Sequence, residues 1–352
     1  MRPRARAAAL AASAALAAAA CGVGGGARPT APEPAPAGPD VQVRLEARDL
    51  FVPGRPRVSG GSLLVDGAPA AGRDGSWMLE LSPGPHRLTF SHPGYRPDLA
   101  VLRAAGAAEP LAQTVASPVL AFEVGSDVPD LELLLVQRTL DVPHFVSYLE
   151  HGVSRRWPAG RVGLHVDRTP TRSGFVLPPE RVPEVAAFVD SALDEISGGA
   201  LRVGEVTTGI AGLDWEAFLE GEMRGAIRIQ FADLVSVFRN EPGGWGLARD
   251  EHGHPGVLRS ANVLLDDTRF RASHDVRPIL GHELGHALGL QHPLPCRRWS
   301  RMDTGAACPR PIETGSGSGG FWSPADREVG LLLHAFRPGT DFSGLPVESP
   351  SP

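Results

Sequence analysis

Lysine is absent from this 352-residue chain; all 34 of its basic residues are arginine. Set against 40 acidic residues, they leave a formal net charge of −6, so no basic field points to nucleic acid as a partner. The missing lysine reads as a bias of base composition, not as a function. Cysteine is scarce, with only Cys21, Cys296 and Cys308. Long apolar runs are missing as well. Ala7 to Ala20 is a stretch of fourteen residues, against about 20 for a helix that spans a bilayer. What is present is a 42% hydrophobic fraction and enough length for two ordinary domains.

The first residues read as an export signal. Arg2, Arg4 and Arg6 precede the apolar run, which closes on Ala18-Ala19-Ala20-Cys21-Gly22. Small residues before a cysteine resemble a bacterial lipoprotein signal, which implies residues 1–21 as signal peptide and Cys21 as the lipidated mature N-terminus. Ala18 departs from the Leu or Val usual at its position, so cleavage after an Ala-x-Ala without lipidation is the alternative. Either route places the mature protein outside the cytoplasm, with a lipid anchor as its only link to a membrane. In an oxidising compartment, Cys296 and Cys308 are candidates for one disulfide, with two buried thiols as the alternative.

Residues 22–40 are Gly, Pro and Ala of low complexity and read as a disordered tether. Short apolar runs separated by turn signals follow in 41–108, at Val41 to Leu45, Ser62 to Gly67, Trp77 to Leu81 and His86 to Phe90. They predict a small antiparallel sandwich. The phrase from Ser82 to Phe90, with Pro93-Gly94-Tyr95, resembles PEGA-like or carboxypeptidase-regulatory-like β-domains, which implies a binding or spacer module. In 109–160, Glu109 to Pro118 reads as a linker. Val119 to Val124 and Leu131 to Val136 read as strands that either close the first domain or begin the second.

From 161 to 337 the pattern is α/β. Strands are expected at Val162 to Val166, Leu201 to Val206, Ala226 to Phe231, Trp245 to Ala248 and Ala261 to Leu265. Helical periodicity runs from Pro179 to Ser197 and stops at Gly198-Gly199. Asp275 and Ser323 are the candidate N-caps of two later helices, each with a proline in the first turn. Residues 338–352, rich in Pro and Ser, are expected to be disordered.

The densest chemistry lies at Gly281 to His292, in the pattern H-E-x-x-H-x-x-G-x-x-H. On a helix, His282 and His286 project from one face and can share one Zn²⁺. Glu283 is placed to reach a metal-bound water without being a ligand. Gly289 allows a left-handed stop that returns His292 as third ligand. Three protein ligands leave a fourth position for water, as a catalytic zinc requires. The bland alternative is a core helix carrying a few satisfied histidines.

These residues resemble the metzincin zinc-peptidase signature. Met302, ten positions past His292 in Ser300-Arg301-Met302-Asp303, resembles the clan's Met-turn. The order of elements from about Arg161 to Phe336 is similar to a matrixin-like catalytic domain. The resemblance implies an α+β, zincin-like domain: a twisted mixed sheet, a long helix, a metal-site helix and a C-terminal helix. It implies His282, His286 and His292 as zinc ligands, Glu283 as catalytic general base, and Met302 as structural support. It also implies substrate pairing with an edge strand near Trp245 to Ala248 and a pocket wall from the Cys308 to Phe321 region. Thr304 stands where two branches of the clan carry a zinc-contacting tyrosine, so the expected site is three histidines and water. No Pro-Arg-Cys-Gly-type cysteine switch precedes the domain.

Asp250-Glu251-His252-Gly253-His254 is a candidate for a structural Ca²⁺ or a second Zn²⁺, with a solvated polar loop as the favoured reading, and Asp266-Asp267 are candidate Ca²⁺ ligands, with a strand-end turn favoured. The leading expectation is an exported zinc metalloendopeptidase acting on protein or peptide substrates. The alternatives are a non-catalytic zinc-binding adhesion or sensor lipoprotein and a hydrolase of cell-wall peptide.

Overall fold

Alternating apolar residues build the first part of the molecule. In the computed structural model, which describes residues 40–125, 127, 129–209, 223–234, 244–268, 271, 277–294, 302 and 321–348, this part holds ten strands. They are β1 (Val41–Asp49), β2 (Ser62–Val65), β3 (Ala68–Pro69), β4 (Gly72–Arg73), β5 (Ser76–Leu81), β6 (Gly84–Ser91), β7 (Tyr95–Ala104), β8 (Ala112–Val115), β9 (Val119–Val124) and β10 (Leu131–Gln137). A six-stranded sheet runs in the order β4-β5-β1-β10-β7-β8, and a four-stranded sheet in the order β3-β2-β6-β9. Leu45, Ala47, Leu102, Leu133 and Leu135 of the larger sheet meet Leu63, Leu88, Phe90, Leu120 and Phe122 of the smaller in one buried core.

The expected boundary at residue 108 is therefore too early for the sandwich. β10 is central, parallel to β1 and antiparallel to β7, and β9 pairs with β6. The expected linker from Glu109 to Pro118 contains β8, paired with β7. β10 also explains its own near-continuous apolar sequence. Leu133 and Leu135 enter the sandwich core, while Leu134 and Val136 enter a second core behind the sheet. A strand buried on both faces has no polar side to alternate with.

That second core belongs to the rest of the chain. A short helix, α1 (Val142–Ser147), leads to β11 (Gly160–Asp167) and α2 (Val182–Ser197). Val185, Val189, Leu193 and Ile196 make the buried stripe of α2, and Gly198 caps it in the left-handed region at φ 61°. Then come β12 (Leu201–Gly209), β13 (Ala226–Ala232), β14 (Gly244–Glu251) and β15 (His254–Asp266). They form a five-stranded sheet in the order β12-β11-β13-β15-β14. All its pairings are parallel except that of β14 with β15, so β14 is an antiparallel edge. Two further helices follow among the described residues: α3 (Arg277–Ala287) and α4 (Pro324–Ala335). Among the described residues the molecule is thus mixed α and β, with three sheets and few helices.

The C-terminal segment corrects the expectation of disorder over 338–352 as far as residue 348. Phe342 is fully buried against Phe145 and Phe336. Leu345 is buried too, and the Pro346 carbonyl accepts from Arg96 Nη2 at 2.8 Å. Two apolar side chains suffice to dock a stretch whose composition is otherwise loop-like. Cys21, the tether through residue 39, Asp275, Cys296, Thr304, Cys308 and residues 349–352 lie outside the described residues.

Candidate metal centre

Helix α3, which carries His282 and His286, is shaped by three faces. Leu280, Leu284, Ala287 and Leu288 repeat at helical spacing and are buried in the second core. His282 and His286 lie on another side, half-buried. Gly285 lies on a third, where an added Cβ would come 2.0 Å from Met302 Sδ. Met302 is fully buried, so its thioether sits directly against the helix backbone between the two histidine turns.

The helix stops where the sequence predicts. Gly289 adopts φ +90°, and an added Cβ there would meet the Arg155 carbonyl oxygen at 2.8 Å. Backbone bonds from Gly289 N to His286 O and from Leu290 N to Gly285 O, both 3.0 Å, close the turn. The chain reverses and brings His292 back over the helix. His292 Nε2 lies 3.1 Å from His282 Nε2 and 3.0 Å from His286 Nε2. Among the described residues this is the one group of side chains that converges as a metal site.

The donor set fits a tetrahedral ion. Two nitrogens about 2.1 Å from one zinc stand about 3.4 Å apart, close to the separations seen here. His286 Nδ1 faces the Leu290 carbonyl at 2.8 Å. A proton is required on Nδ1 for that bond, which leaves the Nε2 lone pair for a metal. Burial pushes the His286 pKa down to about 4, aided by its histidine neighbours and opposed by the Leu290 bond. The imidazole is therefore neutral at neutral pH, as a ligand must be. His292 is exposed, so the cluster opens to solvent on one side.

Glu283 points elsewhere. Its side chain is only 6% exposed and lies on β14. An added Cβ on Gly244 would come 2.6 Å from Glu283 Cγ; one on Gly246 would come 2.3 Å from the Glu283 carbonyl oxygen. Two side-chain-free positions on the edge strand thus let the helix settle against it. The Gly246 backbone N–H donates to the Glu283 carboxylate, while burial, the larger influence, holds its pKa up near 8. Trp245, between the two glycines, is 40% exposed on the edge strand.

The sequence alone singled out the three histidines, Glu283, Gly289 and Met302; the fold brings the three imidazoles together, puts Gly289 in the turn between them and Met302 against Gly285, and lays Glu283 against β14. It did not single out Gly244 and Gly246. Their Gly-x-Gly spacing in a strand is the local sign of a close approach. The other metal candidates do not converge. Asp250 pairs with Arg155 Nε at 2.8 Å beside the β14–β15 turn. Asp266 accepts from Thr268 Oγ1 at 2.7 Å, and Asp267 faces Arg271 Nη2 at 3.4 Å, where a guanidinium already supplies positive charge. Comparison with protein-family models finds no match, and comparisons with curated proteins and with solved structures find none either.

Proposed function

We propose that this chain is an exported zinc-dependent metalloendopeptidase of metzincin type, with a zincin-like catalytic domain built on the five-stranded sheet, α2, α3 and α4. The observation that carries it is the meeting of three imidazole Nε2 atoms on a helix whose buried Glu283 lies against β14, the edge strand of the five-stranded sheet among the described residues. His282, His286 and His292 would hold the ion. A bound zinc supplies Lewis acidity to a water and to the scissile carbonyl.

The protein's own part follows from where its groups stand. Glu283, next to His282, would take the proton from the attacking water and later give it to the leaving amine nitrogen; a cation bound beside it would lower the pKa that burial holds near 8 and leave the carboxylate ionised for that role. The Gly246 N–H fixes its carboxylate against β14. Among the described residues β14 pairs only with β15, so an extended peptide would pair with its other edge, where the Gly246 N–H is held by Glu283 and the Ala248 carbonyl by Arg155. A substrate held there would run past both Glu283 and the three imidazoles. Met302, packed under Gly285, keeps the floor of the site rigid.

Export rests on the N-terminal residues. Arg2, Arg4, Arg6, the run from Ala7 to Ala20 and Cys21 support a lipoprotein signal, which would anchor the enzyme to a membrane surface through the tether. No helix among the described residues is long and apolar enough to cross a membrane.

The proposal is tested by digestion of casein with the purified protein. Cleavage should stop with a chelator and return with added Zn²⁺. Cleavage indifferent to chelation, or none from zinc-loaded protein, would refute it.

A further inference from the structure

The turn that carries His292 is held by more than the helix it leaves, whose His286 and Gly285 carbonyls accept from Gly289 and Leu290. It is gripped by the segment that joins the sandwich to the five-stranded sheet. Trp157 Nε1 donates to the Ala287 carbonyl at 2.9 Å. The Arg155 carbonyl is the group that Gly289 must clear. The Gln291 N–H donates to the Tyr148 carbonyl at 2.8 Å, and the Leu294 N–H donates to Ser147 Oγ at 2.9 Å. These four contacts fall in chain order along residues 287–294, on both sides of the third imidazole.

The gripping segment is itself fixed from below. Tyr148 is fully buried, and its hydroxyl donates to Asp326 Oδ1 at 3.0 Å. Asp326 also closes the capping box of α4 with Ser323. The path therefore runs from the first turn of α4, through the Tyr148 side chain and backbone, to the residue beside His292. Arg155 ties the same segment to the substrate-side edge, donating from Nη2 to the Ala248 carbonyl at 3.1 Å.

We infer that residues 147–157 are a positioning clamp for the third metal ligand, with Tyr148 as its central positioning residue acting through Gln291. This rests on the metal reading above and goes beyond it. Nothing in the motif from His282 to His292 requires a tyrosine some 140 positions earlier. Its physical basis is general: groups that orient a ligand from outside the coordination shell change metal affinity about 10–100-fold when removed. Tyr148→Phe removes the bond to Asp326 and the longer contact with His144 Nε2, and keeps the ring. Ser147→Ala removes the acceptor for Leu294 and no core atom.

The test uses the full chain, stripped of metal, in wild-type and both variant forms. Zn²⁺ affinity is read by competition with a chromophoric chelator, site geometry by the visible spectrum of the Co²⁺-loaded protein, and the clamp itself by amide exchange over residues 287–294 in the metal-free state. Tyr148→Phe is expected to bind Zn²⁺ about tenfold more weakly, to shift the Co²⁺ bands and to speed exchange at Gln291, with far-ultraviolet dichroism unchanged. Ser147→Ala should move the same quantities less, with exchange fastest at Leu294, and it decides the question if Tyr148→Phe does not fold. Variants that match the wild type in affinity, Co²⁺ spectrum and exchange overturn the clamp while leaving the metal site intact. A wild type that takes up neither metal overturns the metal reading and the clamp with it.

Discussion

At the scale of single residues, two glycines decide whether the site can exist. Gly285 leaves room for Met302 Sδ, and Gly246 lets α3 rest on the edge strand. Gly285→Ala sets a methyl about where the sulfur now lies, and overpacking of this kind costs about 1–3 kcal/mol. Its thermal midpoint should fall below that of the wild type, and the change should weaken zinc binding because the floor of the site moves. An unchanged midpoint would mean that Met302 does not sit where it is described. The histidines and Gly289 were legible in the sequence because a four-residue spacing and a left-handed stop are local facts. The carboxylate's cradle was not, because Gly244 and Gly246 act on a residue far along the chain. Tyr148 escaped notice for the same reason.

At the scale of elements, helix ends and hairpins obey their local chemistry. Ser323 caps α4 through Asp326 N at 3.1 Å, and Asp326 Oδ2 accepts in return from Ser323 N. Ser323→Ala should cost about 1 kcal/mol, read as a lower denaturation midpoint. In the sandwich, His86 presents Nδ1 to Asp66 at 2.6 Å and Nε2 to the Ser82 carbonyl at 2.7 Å. Burial alone would lower its pKa, but the two acceptors outweigh burial and raise it above the ordinary 6.5. A folded-state pKa above the unfolded one means that the stabilisation is complete below about pH 6.5 and is lost as pH rises through the raised value. Denaturation midpoints measured from pH 6 upward should therefore show a decline that His86→Gln flattens. A slope identical in the two proteins would remove His86 as its source. Most strands, α2 and α4 were readable from periodicity, and Ser323 from its spacing to Pro324 and Asp326. The role of β10 was not, because a run such as Leu131 to Val136 shows only that both faces are buried, never against what.

At the scale of the whole molecule, the sandwich and the five-stranded sheet share one continuous core through Leu99, Val101, Leu134 and Val136. Residues 38–352 accordingly form one compact unit. The tail contributes to it from the other end. Arg96 and Asp98 form a buried bidentate pair, with Arg96 also holding the Pro346 carbonyl, and Phe342 completes an aromatic cluster with Phe145 and Phe336. Phe342→Ala should destabilise the protein by about 3–5 kcal/mol, and because Phe145 lies in α1, beside the segment that holds His292, zinc affinity should fall with it. Composition hid this role, since a Pro- and Ser-rich tail looks solvent-loving until its two apolar side chains are placed.

The central question is whether the three histidines hold zinc for a reaction that Glu283 assists. The direct measurement is zinc content by mass spectrometry together with casein cleavage, made in parallel on the wild type and on Glu283→Ala. The expected result is about one zinc per chain in both proteins, as one closed set of three ligands implies, with cleavage in the wild type and none detectable in the variant. A metal-free wild type, or a variant that cleaves as fast as the wild type, would contradict it.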